Sequence, residues 1–280
     1  MRTLAIVISY NFMPWIDRCL PALQASTKPM DILVIDNGSS DNTVATLQER
    51  YPQVRLIANN RNLGFGAANN IGMQVAMDEG YDGVMLINQD AWLAPNALGQ
   101  LIEASQQHPE YGIVSPKHLT GDGSKLDPGF AAYINRSNGN CQFINAALWY
   151  IPIAVIRKVG MFAPLFYHYG EDKDYVNRLH YHGYQIGYVP SALGYHDRAN
   201  RPMSRELFMR TERVYHLSEY ANINLPLAKA FAMGVLAPVK KALQAVCKGK
   251  WHICADYLGM SIELLMQSID ICKTRKQAKK

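Results

Sequence analysis

Cysteine is scarce in this chain of 280 residues, and the few cysteines lack the spacing that would give them a structural use. None of the five lies in a C-x-x-C pair, and their number is odd: Cys19, Cys141, Cys247, Cys254 and Cys272. The sequence therefore predicts neither a zinc knuckle nor a disulfide framework. A reducing cytoplasm suits such a chain best, so we predict a cytoplasmic protein.

Long apolar runs are missing as well. The first run, Leu4 to Ile8, is shorter than the apolar core of a secretory signal. The best candidate for a membrane span, Ala230 to Val239, lies between two lysines and has only about half of the roughly 20 residues that a spanning helix needs. We therefore expect a protein that is soluble or bound to a membrane surface.

Acidic residues are few at the C-terminal end, although the whole chain carries a formal net charge of only +5. From Lys241 onward there are eight basic residues and three acidic ones, Asp256, Glu263 and Asp270. This excess of positive charge predicts an anionic surface as a partner of the tail. With 49% hydrophobic and 18% charged residues, the chain should be globular, and we expect no nucleic-acid partner.

Short apolar strands alternate with helix-length segments in the first half of the chain. The pattern predicts strands over Thr3–Ser9, Asp31–Asp36, Arg55–Asn59 and Gly83–Asn88, with helices over Met13–Ser26, Asn42–Tyr51 and Phe65–Glu79. This rhythm is typical of a Rossmann-like, doubly wound and mostly parallel sheet, which binds ligands beyond the carboxyl ends of its strands. We predict an α/β domain over residues 1–203 and a helical, basic extension over residues 204–280.

Asp36 ends the second predicted strand, in the run Val-Ile-Asp-Asn-Gly-Ser-Ser-Asp. A carboxylate at this position can accept hydrogen bonds from a nucleotide base or ribose. The same run would also form a turn and a helix cap, which is the role we expect for Ser39 to Asp41. We predict a ligand contact for Asp36 itself.

A segment similar to a phosphate-binding glycine loop follows the third predicted strand, Asn62-Leu63-Gly64-Phe65-Gly66. It lacks the final glycine of the dinucleotide fingerprint, and Tyr10-Asn11 rather than glycine follows the first strand, which argues against a nicotinamide or flavin enzyme. Two readings stay open for this loop. It is either a helix N-terminus that offers backbone N–H groups to a substrate or a tight strand-to-helix turn.

Asp90 follows the fourth apolar strand, in Asn88-Gln89-Asp90. This carboxylate is well placed to hold a divalent cation that bridges a diphosphate, and Asn88 could assist it. The alternative for Asp90 is a helix cap before Leu93. His196, at the end of a later apolar strand, is either a metal ligand or a structural histidine.

A second acidic cluster, Glu171, Asp172 and Asp174, lies far downstream and is crowded by aromatic residues. Three carboxylates this close raise one another's pKa. Arg178, four residues after Asp174 on the following helix, can neutralise that residue and leave Asp172 as the freer group for proton abstraction. The alternative is a solvated helix start, where acidic residues are favoured by the helix dipole.

Taken in order, these motifs resemble the family 2 glycosyltransferases of the GT-A fold, and most of all their bacterial rhamnosyltransferase-like branch. The resemblance covers about residues 3 to 200. It rests on Ile8 to Asn11, Val34 to Asp41, Asn60 to Gly72, Asn88 to Asp90, Gly160 to Phe162, Glu171 to Asp174 with Arg178 and Gly183, and Tyr195-His196. One departure is that the metal motif keeps only its last acid, Asp90.

The resemblance implies a role for each of these residues. It makes Asp172 the catalytic base with Glu171 beside it, Asp36 the reader of the nucleobase, and Asp90 with His196 the holders of Mg²⁺ or Mn²⁺. We further predict donor binding by Ser9, Asn11, Asp36, Asn62, Gly64, Asn69, Asn88 and Gln89, and acceptor binding by Trp149, Tyr169, Asp174 and Arg178. The aromatic residues near the base could stack on acceptor sugars, and packing around the site is the alternative for them.

The reaction implied is transfer of a sugar, with inversion, from a nucleotide-diphosphate donor to a glycan or lipid-linked acceptor of bacterial surface polysaccharide such as lipopolysaccharide O-antigen. By resemblance, dTDP-L-rhamnose is the first choice of donor, ahead of UDP-hexoses. A polyprenyl-phosphate sugar synthase, a catalytically silent nucleotide-sugar-binding protein and a nucleotidyltransferase are the alternatives. A nucleotidyltransferase would need a glycine-rich, basic loop after the first strand to bind a triphosphate, but this chain has Tyr10-Asn11-Phe12 there.

Apolar residues recur at helical spacing in the tail, among them Leu236, Val239, Leu243, Val246, Leu258, Ile262, Leu265 and Ile269, with lysines beside them. Such helices lie on anionic lipid, or pack on the catalytic domain or on a second subunit in a homodimer. Because the acceptors of this family are usually lipid-linked, we favour binding of the tail to lipid, at the inner face of the cell membrane.

Overall fold

A computed structural model describes residues 1–134, 142–198 and 204–280. The chain folds into two compact units, one formed by Met1–Phe162 with His182–Ala199 and the other by Ala163–Tyr181 with Asn200–Lys280. Cys141 and the predicted domain boundary at Met203 lie outside the described residues, and the division into 1–203 and 204–280 stays a prediction.

The first unit contains an eight-stranded mixed sheet with the order β3-β2-β1-β4-β7-β6-β8-β5. Its strands are β1 Thr3–Ser9, β2 Asp31–Asp36, β3 Arg55–Ala58, β4 Gly83–Asn88, β5 Ala91–Leu93, β6 Tyr111–Thr120, β7 Leu148–Pro152 and β8 Gln185–His196. The four strands predicted from the sequence are confirmed and pair in parallel. The rest of the sheet is mixed, because β7 runs antiparallel to β4 and β6, and β5 runs antiparallel to β8.

Helices cover the sheet of the first unit and make up most of the second. The first unit contains α1 Ile16–Gln24, α2 Thr43–Arg50, α3 Phe65–Asp78, α4 Ala97–Gln107, α5 Pro128–Ile134 and α6 Ile153–Val159. The second contains α7 Glu171–Tyr181, α8 Arg205–Ala221, α9 Leu227–Phe231, a π-helical turn Ala232–Leu236, α10 Ala237–Cys247, α11 Trp251–Met266 and α12 Ser268–Gln277. The predicted helical tail is therefore confirmed.

Strand β1 is central to the sheet and is buried along its whole length. A strand covered on both faces by helices needs an unbroken apolar run, and Leu4 to Ile8 supplies it. Helix α3 approaches β1 closely at Gly72, where an added Cβ would lie only 2.7 Å from Cγ2 of Ile6. Gly72 is therefore a packing residue, although the sequence does not single it out.

Helix α9, the π-helical turn and α10 form one continuous helix over Leu227–Cys247, which is long and apolar enough to cross a membrane by length and composition alone. The expectation that no apolar segment reaches that length was therefore wrong. The predicted segment ends near Pro238, but this proline lies in the first turn of α10, where a proline does not interrupt a helix. One side of this helix packs inside the second unit through Ala230, Gly234 and Val235.

Replacement of Gly72 by alanine should destabilise the protein by about 1–3 kcal/mol, because the new methyl group overlaps Ile6. The matched control is Gly99→Ala in α4, where the nearest atom to the new Cβ is 3.9 Å away. That change should stabilise by about 0.5–1 kcal/mol through helix propensity alone. Urea unfolding of both variants measures the difference, and equal midpoints would contradict the packing role of Gly72.

Candidate active site

Three parallel strands of the first unit end at the same edge of the sheet with a polar residue. Ser9 ends β1, Asp36 ends β2 and Asn88 ends β4, and Ser9 is in register with Asp36. The parallel pairing that makes neighbours of β1, β2 and β4 therefore gathers side chains that are far apart in the sequence. This edge is where ligands bind in open α/β sheets.

The Asp36 carboxylate is buried and accepts four hydrogen bonds. Its Oδ1 accepts from the hydroxyl of Ser9 at 3.0 Å and from that of Ser39, while its Oδ2 accepts from the backbone N–H groups of Gly38 at 3.2 Å and Ser39 at 2.9 Å. Both oxygens thus hold the turn after β2. This geometry favours the alternative role of Asp36, which is to hold the turn. Contact between Asp36 and a nucleobase stays a prediction.

Two further predicted donor residues hold the loops beside that turn. Asn11 has a positive φ of 56°, and its Oδ1 accepts from the backbone N–H of Ser40 at 2.9 Å. The Gln89 amide is bound at both ends by one residue: its Oε1 accepts from the Tyr10 N–H at 2.7 Å and its Nε2 donates to the Tyr10 carbonyl at 3.1 Å. We call this pair the Gln89–Tyr10 clamp. The Tyr10 ring is left exposed. Tyr10 is not among the site residues predicted from the sequence.

The glycine loop forms a tight turn into α3. Gly64 has a φ of 85°, which favours glycine, and its N–H donates to Asn62 Oδ1 at 2.9 Å. Asn62 Oδ1 also accepts from the Asn37 amide at 2.9 Å, and the buried Asn69 donates to the Phe65 carbonyl at 3.0 Å. These contacts account for the turn, while donor binding by Asn62, Gly64 and Asn69 stays a prediction.

Asp90 and His196 lie side by side because β5 pairs with the end of β8. Ala91 is in register with His196, and the Asp197 N–H donates to the Asp90 carbonyl at 2.8 Å. Asp90 Oδ1 is then 3.4 Å from His196 Nε2. The helix-cap alternative for Asp90 was wrong, since strand β5 follows it directly. The structure therefore brings together the two residues that were predicted as metal ligands.

Asp127 lies behind this pair and was missed by the sequence analysis. Its buried Oδ2 is 3.9 Å from His196 Nδ1 and accepts from Arg198 Nε at 2.7 Å, while its Oδ1 accepts from the Phe130 N–H at 2.8 Å. In the sequence, Asp127 followed by proline indicates only a helix start. Its second role, facing the far side of the His196 ring, arises from tertiary structure.

A second histidine, His118, stands near His196 with the two ring centres 6.5 Å apart. It is buried, stacks on Phe130 at 4.7 Å and shares a 3.0 Å hydrogen bond with Ser115. Burial, together with the positive charges of His196 and Arg198, lowers the pKa of His118 to about 3. His118 is therefore neutral at physiological pH and adds no charge beside Asp90.

Asp90 and His196 fit a divalent cation only if a ligand completes the coordination. No group of three or more His, Cys, Asp or Glu residues that could hold a metal occurs in the described parts of the chain. One carboxylate and one imidazole suit Mn²⁺ or Mg²⁺ when an anionic substrate and water supply the other oxygen ligands. The donor set therefore fits a cation shared with a diphosphate rather than a metal bound by protein alone.

The second acidic cluster opens helix α7 in the second unit. Tyr169 and Gly170 precede it with positive φ angles of 69° and 91°. Glu171 is buried, and no hydrogen-bond partner is found for its Oε2 among the described residues. Burial, aided by the negative charge of Asp172, raises the pKa of Glu171 to about 7. A carboxyl group with such a pKa can exchange a proton near neutral pH.

Asp174 and Arg178 form the ion pair expected from their spacing, with Arg178 Nε 2.8 Å from Asp174 Oδ2 and both side chains buried. Burial raises the pKa of Asp174, and the Arg178 guanidinium opposes that shift. This pair is part of the interior of the second unit. The neutralisation of Asp174 is as predicted, whereas contact of either residue with an acceptor stays a prediction.

The two aromatic residues predicted to meet an acceptor differ in exposure. Trp149 is fully buried in β7 and its ring lies 6.4 Å from that of Phe162, so the geometry gives it a packing role. Tyr169 is 44% exposed and its ring is 4.1 Å from that of His168. Of the two, Tyr169 is accessible to a sugar, and acceptor binding stays a prediction for both.

Residues 4–158 match the protein family described as Glycosyl transferase family 2. An N-acetylglucosaminyl-diphospho-decaprenol L-rhamnosyltransferase of Mycobacterium tuberculosis is 27% identical over an alignment of 232 residues, and the match covers 70% of this chain and 76% of that protein. The family match ends before the second acidic cluster. The similarity to the rhamnosyltransferase extends over more of the chain.

Two solved structures share the fold of this chain at low identity. Residues 1–349 of S. aureus TarS in complex with UDP superpose with a TM-score of 0.61 and 13% identity, covering 100% of this chain and 90% of that one. The mannosyltransferase PcManGT from Pyrobaculum calidifontis, in complex with GDP-Man and Mn²⁺, has a TM-score of 0.60 and 18% identity, covering 96% and 75%. The predicted GT-A fold is confirmed.

Replacement of Glu171 by glutamine should flatten part of the pH dependence of stability. A carboxyl group whose pKa rises from 4.5 to about 7 on folding contributes stability below pH 4.5, and this contribution is lost as the pH rises through 7. From about pH 4.5 to about pH 7, the wild type should therefore lose at most about 3 kcal/mol relative to Glu171→Gln. Urea unfolding across this range tests it, and parallel curves would contradict it.

Proposed function

This chain is a member of Glycosyl transferase family 2, and we propose that it transfers a sugar, with inversion, from a nucleotide-diphosphate donor to an acceptor hydroxyl. One observation carries the proposal for the first unit: Asp90 and His196 stand 3.4 Å apart beside the strand ends where ligands bind in this architecture. Their donor atoms suit a cation that is shared with a diphosphate.

The donor side of the reaction is assigned to the first unit. Asp90 and His196 would hold Mg²⁺ or Mn²⁺, which supplies positive charge to stabilise the leaving diphosphate. Asp127 faces His196 Nδ1 at 3.9 Å, which is longer than a hydrogen bond, and its carboxylate would orient the ring by moving closer when His196 binds a metal. The Gln89–Tyr10 clamp holds the backbone of Tyr10, and the exposed ring of this residue offers a flat apolar face to the nucleobase.

The base that activates the acceptor is assigned to the second acidic cluster. Asp172 removes the proton from the acceptor hydroxyl, whose oxygen attacks the anomeric carbon while the bond to the diphosphate breaks on the opposite face. The anomeric configuration is thereby inverted. Glu171 competes for this role, because a pKa of about 7 suits a general base at neutral pH. The resemblance and the position of Asp172 in the motif favour Asp172.

We propose dTDP-L-rhamnose as the donor and a lipid-linked or oligosaccharide acceptor, in the synthesis of bacterial surface polysaccharide. The name of the Mycobacterium tuberculosis relative supports the choice of L-rhamnose as the sugar and of a lipid-linked acceptor, since it describes an L-rhamnosyltransferase that acts on a diphospho-decaprenol lipid. Such acceptors would place the protein at the cytoplasmic face of the membrane. A UDP-hexose is the second candidate for the donor.

A panel of nucleotide sugars tests the donor. Each sugar nucleotide is added at saturating concentration with Mn²⁺, and the thermal midpoint is compared with that for the free nucleoside diphosphate. A donor present at 100 times its Kd should stabilise the folded state by about 2.7 kcal/mol. Stabilisation by UDP-hexoses but not by dTDP-L-rhamnose would overturn the choice of donor and leave the transferase assignment intact.

Asp172→Asn should reduce turnover by about 10²–10⁴-fold while the Kd for the donor stays within about twofold, because the amide keeps the size of the side chain and loses its proton affinity. Glu171→Gln is the matched variant and should retain more activity. Single-turnover transfer and donor titration are measured for both. If Glu171→Gln is the inactive variant and Asp172→Asn is active, the base is Glu171.

Asp90→Ala should remove the metal dependence of donor binding, since the cation would lose its carboxylate ligand on the protein. His196→Ala should weaken the same dependence more mildly. Titration calorimetry with the nucleoside diphosphate, with and without Mn²⁺, measures it. Asp122→Ala is the control, an exposed acid whose partners are Thr120 and Ser124. Unchanged metal-dependent affinity in Asp90→Ala would refute the assignment.

A further inference from the structure

Helix α11 has two apolar faces, and only one of them is used inside the second unit. Tyr257, Met260 and Leu264 are buried on the first face. A second set of large apolar side chains is exposed, and we call it the apolar stripe: Trp251, Leu258, Ile262, Leu265, Met266 and, at the start of α12, Ile269. At about 100° per residue, this stripe is centred roughly 150° around the helix from the buried face.

The third face of α11 is polar and already satisfied. Asp256 pairs with Arg205 at 2.5 Å and Glu263 pairs with Arg213 at 2.5 Å, so both acids of this helix are bound to arginines of α8. The apolar stripe is therefore neither the core-facing side nor the salt-bridged side. Its residues are 41–78% exposed, which is unusual for so many large apolar side chains on one helix.

Lysines surround the stripe and have few acidic neighbours. Lys248 and Lys250 precede the exposed Trp251 at the turn between α10 and α11, and Lys273 and Lys276 follow Ile269 on α12. Lys248, Lys250 and Lys276 have no carboxylate within 4.0 Å in the part of the chain that the structure describes, and Asp270 lies 3.4 Å from Lys273. The edge of the stripe therefore carries net positive charge.

We propose that the apolar stripe and its lysines bind the surface of an anionic lipid bilayer, with α11 lying in the plane of the interface. A tryptophan just after two lysines, beside a row of Leu, Ile and Met, is typical of helices that insert shallowly at the level of the headgroups. The lipid phosphates supply the negative charge that Lys248, Lys250 and Lys276 do not find among the residues that the structure describes.

A second copy of the chain is a poorer occupant of the same surface. In a symmetric dimer each stripe would meet an identical one, so the lysines beside Trp251 would approach lysines of the partner. The acids of α11 are already paired with α8 and are not available to balance that charge. Charge complementarity therefore favours lipid over self-association.

Vesicle sedimentation with the full chain tests the proposal without any donor or acceptor. The chain should sediment with vesicles of equimolar phosphatidylcholine and phosphatidylglycerol, bind pure phosphatidylcholine at least about tenfold more weakly, and be released by high salt. Equal binding to both compositions, or none to either, would overturn it. Because no sugar transfer is measured, failure here leaves the proposed function untouched, and the reverse also holds.

Two pairs of variants separate the stripe from its lysines. Ile262→Ser with Met266→Ser should weaken vesicle binding at least about tenfold. The control is Leu126→Ser with Phe208→Ser, which removes two exposed apolar side chains elsewhere and should bind normally. Lys248→Gln with Lys250→Gln should reduce the preference for phosphatidylglycerol, whereas Lys125→Gln with Lys158→Gln should not. These lysine variants keep the test valid if the stripe variant unfolds.

Two further outcomes would overturn the proposal. Light scattering could show a dimer in the wild type that dissociates in the Ile262→Ser, Met266→Ser variant, and the stripe would then be a protein interface. Alternatively, the chain could remain in the membrane after extraction with alkaline carbonate, in which case the continuous helix Leu227–Cys247 spans the bilayer. Monomeric protein that carbonate releases from vesicles would support interfacial binding.

Discussion

The chemistry assigned to the first unit depends on the antiparallel pairing of β5 with the end of β8. That short ladder places His196 beside Asp90, and the parallel pairing of β8 with β6 holds the histidine from its other side. Asp127, reached from the end of β6, then faces the same ring. Without this pairing, the last acid of the motif after β4 would stand alone, since Asn88 and Gln89 carry no charge.

Much of the fold could be predicted from the sequence because its signals are local. Each of the strands β1 to β4 contains an apolar run that is followed by polar residues, and helix-length segments separate β1 to β4 along the chain. Strand β5 escaped notice because it has only three residues and owes its conformation to β8. The π-helical turn before Pro238 likewise hid the full length of the helix from Leu227 to Cys247.

The site was predictable only in part, because spacing shows which residues follow a strand but not how completely the protein already uses them. Asp36, Asn11 and Gln89 lie where the sequence placed them, yet each is engaged in hydrogen bonds that shape a loop. Trp149 looked available among aromatic neighbours and is fully buried. Asp127 carried no signal beyond a helix start, since its approach to His196 depends on tertiary pairing.

The Gln89–Tyr10 clamp has a consequence for how this motif can vary. A carboxylate in place of the Gln89 amide could still accept from the Tyr10 N–H, but it could not donate to the Tyr10 carbonyl. An acid at position 89, the middle residue of the motif, would therefore loosen the hold on Tyr10 at the end of β1. A second carboxylate beside Asp90 can be introduced at Asn88 without breaking the Gln89–Tyr10 clamp, whereas at position 89 it would cost one of the two hydrogen bonds that hold Tyr10.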